Sequence, residues 1–538
     1  MDYTAHVDTF ARDRLPPRDQ WPEFLFDLPE LHYPDRMNCA TELLDRAVTE
    51  RGWGERMAIL SPRGDQTYRQ FLETANRIAR VLVEDMGLLA GNRVLLRGCN
   101  SPMMAACWFA VQKAGAIAVA TMPLLRAREL KDVITKAEVS HALCEHELLG
   151  ELDLARPACP SLRQVACWYG GDLEGRMAAK PADFANADTA RDDVSLIAFT
   201  SGTTGKPKGT MHFHRDVMAI CDCFPRSTLK SAADDRFCGT PPLAFTFGLG
   251  GLLLFPLRVG AAALLIERLT PETLLQAIQD QRATVCFTAP TFYRMMAGLA
   301  GDFDLSSLVK CVSAGEALPV ATRDAWREAT GIRIIDGIGA TELLHIFISA
   351  AGDDIRPGAT GKPIPGYAAA VFDDAGHPLP PGRVGRLGVK GPTGCRYLDD
   401  PRQAAYVQDG WNFTGDSYLV DADGYFHYQA RTDEMIVSAG YNIGGPEVED
   451  VLLQHPAVAE CGVVGIGDPD RGQVVKAFVV LRPGHKGDAA MVAALQEHVK
   501  QTIAPYKYPR LVEFRDSLPR TETGKLQRFR LREQAKGQ

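Results

Sequence analysis

From residue 70 to residue 150 the apolar positions switch between two rhythms. RQFLETANRIARVLVEDMG (69–87) spaces them three and four apart, which lines one face of a helix. RVLLRGC (93–99) is instead a short apolar run, the signature of a strand buried on both faces. SPMMAACWFAVQKAG (101–115) reads as a helix opened by Ser101, and AIAVATMP (116–123) as the next strand. Helix RARELKDVITKAE (126–138) and strand SHALC (140–144) follow. Repeated strand–helix units predict a parallel sheet covered by helices.

The same rhythm returns from 260 to 340, in AAALLIE, TPETLLQAIQDQR, ATVCFTAP, LVKCVSAGE, PVATRDAWREATG and IRIIDGIG. A second sheet of this kind is predicted there. Between about 360 and 430 the chain turns to short strands punctuated by Gly and Pro, such as GRLGVKG and GYFHYQA, which predicts an antiparallel β region. Beyond the connector RTDEM, a compact α+β unit is expected, with helices PEVEDVLLQH and AAMVAALQEHVKQTI and strands AECGVVGI, VVKAFVVL and LVEFRD. The expected class is α/β: a large N-terminal domain (1–432) with two parallel-type α/β subdomains and a small β region, then a small C-terminal domain (433–538).

Composition narrows the function classes. At 538 residues and 46% hydrophobic, the chain exceeds what one core organises. A net charge of −8 argues against a polyanion-binding surface, so no nucleic-acid partner is expected. Asp2 and Asp8 stand where a secretory leader would carry a basic segment and an apolar run. The greasiest stretch, Phe247 to Leu257, is too short to span a bilayer, so no membrane association is expected. Thirteen cysteines include no CxxC pair, and the single residue between Cys221 and Cys223 does not suit a zinc knuckle. A cytoplasmic enzyme with reduced thiols, as monomer or homodimer, fits these numbers.

The candidate chemistry starts at TSGTTGKPKGT (200–210), a loop of small hydroxylated residues and exposed backbone N–H groups suited to phosphate oxygens. It is not a P-loop: five positions on from Gly202 stands Pro207, which also bars the α-region at Lys206. GIGATELLHIF (337–347) follows a strand and offers Thr341 and Glu342 at a sheet's carboxyl edge, where ligands of open α/β sheets bind. WNFTGD ends in Asp416, an acceptor for a diol, and RTDEM opens with Arg431, a fork of donors for ribose or phosphate oxygens. PRTETGKLQR carries Lys525 on a Thr/Gly loop near the end of the chain. Taken singly, Asp416 could close a turn, Glu342 cap a helix and Lys525 be a solvated surface residue. Their joint order and separation is what singles them out. His212 and His214 read as two positions on one strand face; with no third ligand near them, packing or hydrogen bonding is the better account than a metal.

Over about residues 40 to 535 this motif set resembles the adenylate-forming superfamily of acyl-CoA synthetases, carrier-loading adenylation domains and luciferases. DGIGATELLHIF and SAGEALP are similar to the benzoate-CoA ligase branch. TMHFHRD, PPLAFTFGLG, SAGYNIGGPEVE and APYKYPR are closer to 2-aminobenzoate (anthranilate)-CoA ligases. The resemblance implies ATP, Mg²⁺ and coenzyme A as co-reactants and an aromatic carboxylic acid as substrate. Thr200, Ser201, Gly202, Thr203, Thr204, Gly205 and Lys208 would hold the pyrophosphate. Gly315, Glu316, Ala317, Asp336, Gly337, Ile338 and Gly339 match the adenine-binding stretches, and Asp416 and Arg431 would hold the ribose.

Glu342 matches the family's Mg²⁺-orienting glutamate, beside Thr341. Lys525 would bridge the substrate carboxylate and the α-phosphate. Phe245, Thr246, Phe247, Gly339, His345 and Ile346 would line the acyl pocket, Phe245 at the aromatic gate. Asp433 falls at the hinge of a mobile C-terminal lid, and Gly440 and Tyr441 at the pantetheine channel. There the usual glycine pair is Ala439–Gly440, which implies a tighter channel. Two rivals stay open: an enzyme loading an aryl acid onto a carrier protein, and a non-catalytic nucleotide sensor, which would have no use for Lys525.

Overall fold

The computed structural model describes residues 3–536 apart from 202–206, 439–440, 469–470 and 521–524. Two large sheets carry the N-terminal part. The six-stranded sheet runs Gln164–Trp168, His141–Glu145, Arg93–Arg97, Ile117–Thr121, Val194–Ser201, Pro207–Phe213, parallel except for the last strand. The nine-stranded sheet has six parallel strands at its centre. In spatial order they are Ile334–Gly339, Lys310–Ala314, Val285–Thr288, Arg236–Gly239, Ala262–Leu264 and Met57–Leu60. Antiparallel strands complete both of its edges.

The predicted helices form where their caps fall. Ser101 accepts the Met104 N–H (3.2 Å), and Thr67 closes a capping box with Gln70 ahead of Tyr68–Arg80. Helix Pro102–Lys113 is buried at every position, which explains why its sequence shows no polar face. Burying Lys113 is tolerated because Asp45 takes its ammonium at 2.5 Å. One apolar cluster joins this helix to residues of both sheets, among them Val94, Leu96, Phe237 and Phe287.

A five-stranded antiparallel sheet (Ala368–Phe372, Val384–Lys390, Val407–Gln408, Trp411–Val420, Phe426–Arg431) matches the Gly/Pro-punctuated region. The C-terminal part has its own five-stranded sheet and its own core around Val448, Leu452, Val463, Val479 and Leu495. The class read from the sequence is the observed one. One local assignment changes. His212 lies on the strand Pro207–Phe213, but His214 begins the helix His214–Asp222, so the two do not share a strand face. His212 bonds the Thr341 carbonyl (2.7 Å) and His214 faces Cys39 (3.1 Å), so both rings take part in hydrogen bonding.

All thirteen cysteines are free. Among the described residues no helix is long and apolar enough to cross a membrane, and no group of three or more His, Cys, Asp or Glu side chains is disposed to cage a metal ion.

Candidate active site

Each of the four sheets sends a segment to one cleft. Strands Lys310–Ala314 and Ile334–Gly339 are parallel neighbours, so their carboxyl ends deliver Gly315–Glu316 and Thr341–Glu342 side by side. The strand Pro207–Phe213 of the other large sheet brings Lys208, whose Nζ lies 3.2 Å from Glu342 Oε1. The Tyr397 hydroxyl donates to that same oxygen and accepts from Lys208 at 2.8 Å. Burial, with Glu342 alongside, pushes the Tyr397 phenol well above its ordinary pKa, so it stays protonated and remains a donor. The His212 bond to the Thr341 carbonyl fixes the turn from beneath.

From the antiparallel sheet come Asp416 and Arg431, facing one another across a strand pair. Arg431 Nη1 reaches Asp416 Oδ1 (3.2 Å) and the Thr414 carbonyl (2.9 Å). Burial raises the Asp416 carboxyl, with Arg431 opposing. Asp336, on the strand between these groups, is raised by burial to about 7, and its Oδ1 meets no hydrogen-bond partner among the described residues. The Gly337 N–H engages the carboxyl, and the open Oδ1 is a candidate acceptor for a ligand donor.

Lys525 arrives from the C-terminal part. Its Nζ lies 3.5 Å from where a Cβ on Gly315 would stand, an ordinary contact distance, and the φ of +90° at Gly315 is what favours glycine there. Crowding at the cleft lowers the Lys525 pKa, with Glu316 and Asp416 favouring the charge and Arg431 opposing it. The residue keeps contact with solvent, which moderates that effect. Glu316 is itself held by Thr291 (2.9 Å).

Beyond Thr341 lies a buried aromatic cluster. His345 is buried (3% exposed) inside a ring of aromatics. Ring centroids lie at 4.5 Å for Phe255, 5.6 Å for Phe247, 5.9 Å for Phe224 and 6.4 Å for Phe287. Gly250 makes room, since a Cβ there would sit 2.5 Å from the imidazole. Burial drives the His345 pKa down to about 3, so the ring is neutral. Neither ring nitrogen has a hydrogen-bond partner among the described residues, although the Phe247 backbone lies close.

Thus Thr341, Glu342, Lys208, Asp416, Arg431, Gly315, Glu316 and Lys525 come together as the sequence implied, Phe247 packs on His345, and buried Ile346 lies against Gly337. Phe245 and Thr246 open the short helix Thr246–Leu249, which carries Phe247. Gly202, Thr203, Thr204, Gly205 and Gly440 lie outside the described residues. The turn Thr432–Glu434 places Asp433 between the antiparallel sheet and the C-terminal strands, and Tyr441 stacks on Tyr506 at 4.5 Å, exposed and away from these contacts. Sequence reasoning missed Tyr397 and the rest of the aromatic ring, Phe224, Phe255 and Phe287, the three phenylalanines lying 58 to 121 positions from His345. No local signal marks them.

Comparison with known proteins agrees with this geometry. Residues 44–396 match the family model of the AMP-binding enzyme, and 447–525 match the AMP-binding enzyme C-terminal domain. The benzoate–CoA ligase of Thauera aromatica is 35% identical over 94% of this chain and 97% of its own. The 3-hydroxybenzoate–CoA ligase of Aromatoleum sp. is 31% identical over 92% of this chain and 97% of its own. Among solved structures, the anthranilate CoA ligase AuaEII in complex with anthranoyl-AMP superposes with a TM-score of 0.89 at 35% identity, over 94% of this chain and 99% of that one. The chain belongs to the AMP-binding enzyme family. Within that adenylate-forming superfamily it falls in the benzoate-CoA ligase branch.

Proposed function

We propose that this enzyme is an AMP-forming aryl-CoA ligase acting on benzoate-type acids, with 2-aminobenzoate the favoured ring. In the first half-reaction a carboxylate oxygen attacks the α-phosphate of ATP; the acyl-AMP forms and pyrophosphate leaves. In the second, the thiolate of coenzyme A attacks the acyl carbonyl, and AMP departs with the electron pair of the broken bond. Family membership and the relatives' activities support the reaction class. The observation that carries the substrate reading is the aromatic cluster around a neutral His345 whose ring nitrogens meet no hydrogen-bond partner among the described residues. A flat ring packs well against such side chains. An ortho amino group would give the imidazole lone pair the donor it lacks, relieving a burial cost of roughly 1–3 kcal/mol.

Lys525 would neutralise charge building between the carboxylate and the α-phosphate, and Lys208, with the TSGTTGK sequence before it, would receive the pyrophosphate. Asp416 and Arg431 hold the ribose hydroxyls, and Asp336 with the 337–339 backbone flanks the adenine. The donor set fits Mg²⁺, which takes one or two carboxylates and completes its shell with waters and substrate phosphates rather than a protein cage. Glu342 would hold it, since Tyr397 and Lys208 both engage Oε1 and leave Oε2 for the ion. The ion supplies charge neutralisation on the phosphates. Asp433 is read as the hinge of a C-terminal lid (433–538) that withdraws Lys525 before thioester formation, with Gly440 and Tyr441 lining the thiol's approach.

The test is AMP release with benzoate, 2-aminobenzoate, salicylate and hexanoate, each with and without coenzyme A. Ring acids supporting CoA-dependent release bear the proposal out. Release that needs a carrier protein in place of coenzyme A, or that favours hexanoate, defeats it.

A further inference from the structure

The helix Val320–Thr330 starts directly after the adenine-side segment 315–319, and its own N-cap residue is Pro319, which offers no side-chain acceptor. A helix start of eleven residues leaves several backbone N–H groups in need of partners. The partner comes from the C-terminal part: Asp450 Oδ1 accepts the Val320 N–H at 2.7 Å, 130 positions away in the chain. Burial raises the Asp450 carboxyl, opposed by the Val320 and Ala321 N–H groups and by Arg323. Arg323 is itself buried at 8% exposure and faces Asp336 as well as Asp450.

Asp450 lies on the helix Gly445–Gln454, whose other acidic residues turn inward to their own unit. Glu447 pairs with Lys507 (2.6 Å). Glu449 accepts the Val463 N–H (2.8 Å) and binds Arg528 through two bonds, of 2.6 and 3.1 Å. Arg528 is three residues beyond Lys525. So the helix that docks through Asp450 also grips, through its neighbour Glu449, the segment that presents Lys525. Both contacts land on one stretch of the large part: Lys525 against Gly315, with Glu316 alongside, and Asp450 at Val320.

We propose that Asp450 is a positioning residue for the adenylating half-reaction, capping the Val320–Thr330 helix across the domain boundary so that Lys525 is held at the nucleotide segment. This rests on the assignment of Lys525 to adenylation. The cap and the seating of Lys525 occur together in this structure, so loss of the cap is expected to weaken that arrangement and to spare thioester formation.

The experiment measures both half-reactions, ATP–pyrophosphate exchange with benzoate and thioester formation from supplied benzoyl-AMP, in wild type, Asp450→Ala, Asp450→Asn and Lys525→Ala. Asp450→Ala is expected to slow exchange about fivefold, the scale of a lost N-cap, with thioester formation changed by less than about twofold. Asp450→Asn should restore most of the exchange rate, because its side-chain oxygen accepts the same bond. If the cap merely stabilised the nucleotide segment, both half-reactions would fall together, since acyl-AMP uses that segment too. Equal losses, no loss, or failure of Asn to rescue would overturn the role of Asp450. Should Lys525→Ala itself slow both steps alike, the failure lies with the lysine assignment instead.

Discussion

Replacing His345 by alanine isolates the aromatic cluster from the rest of the site. Its imidazole packs on Phe255 at 4.5 Å and on Phe247 at 5.6 Å, and a cavity left by truncation penalises every ring acid alike. That common loss cancels in the ratio of kcat/KM for 2-aminobenzoate over benzoate. What remains is the one interaction the two acids would not share, an amino N–H given to a neutral imidazole nitrogen that has no hydrogen-bond partner among the described residues. A neutral hydrogen bond contributes about 0.5–1.5 kcal/mol, and relieving a buried orphan brings the value to the upper end. The ratio should therefore fall about tenfold, near 1.4 kcal/mol. The assay is initial-rate AMP release at limiting acid in wild type and His345→Ala, with saturating ATP and coenzyme A. A ratio that stays the same would remove His345 from substrate choice, however much the absolute rates fall.

Three further outcomes follow from the same geometry. Lys525→Ala should abolish acyl-AMP formation while sparing thioester formation from supplied acyl-AMP; one preorganised charge contact of this kind is worth about 3–4 kcal/mol in the step it serves. Asp433→Pro should fix φ near −65° in the Thr432–Glu434 turn, so that pre-steady-state kinetics show adenylation surviving better than thioester formation; two unaffected steps would exclude a hinge there. Acid should destabilise the fold through its buried histidines. His345 and His214 titrate at about 3 in the fold against 6.5 unfolded, so the unfolded chain binds more protons between these values. Stability is then full above pH 6.5 and lost as the pH falls towards 3, and a thermal midpoint flat over that range would contradict the burial of these rings.

The elements of the two large sheets were readable because parallel strands covered on both faces show as apolar runs, and because Ser101, Thr67 and Thr270 mark helix starts. Strand order was not. Met57–Leu60 lies between Ala262–Leu264 and Gln66–Thr67, and nothing near residue 57 announces a neighbour two hundred positions on. The candidate cluster could be listed residue by residue through the family resemblance of its motifs, whereas what orients it could not. Tyr397 meets Glu342 across 55 positions and Asp450 meets Val320 across 130, and such pairs are set by how sheets pack rather than by any local pattern. His214 was misplaced for a local reason: the strand containing His212 ends at Phe213, where the Asp216 carboxylate takes the Phe213 N–H and starts a helix.

The central claim is that one cleft couples ATP cleavage to the activation of a ring acid for transfer to coenzyme A. It is tested most directly by following AMP and aryl-CoA together in a single reaction with 2-aminobenzoate, ATP, Mg²⁺ and coenzyme A. The account predicts that the two products appear in equal amounts, with pyrophosphate matching them, and that both vanish when the acid is omitted. AMP accumulating without thioester, or hexanoate outperforming every ring acid, would contradict it.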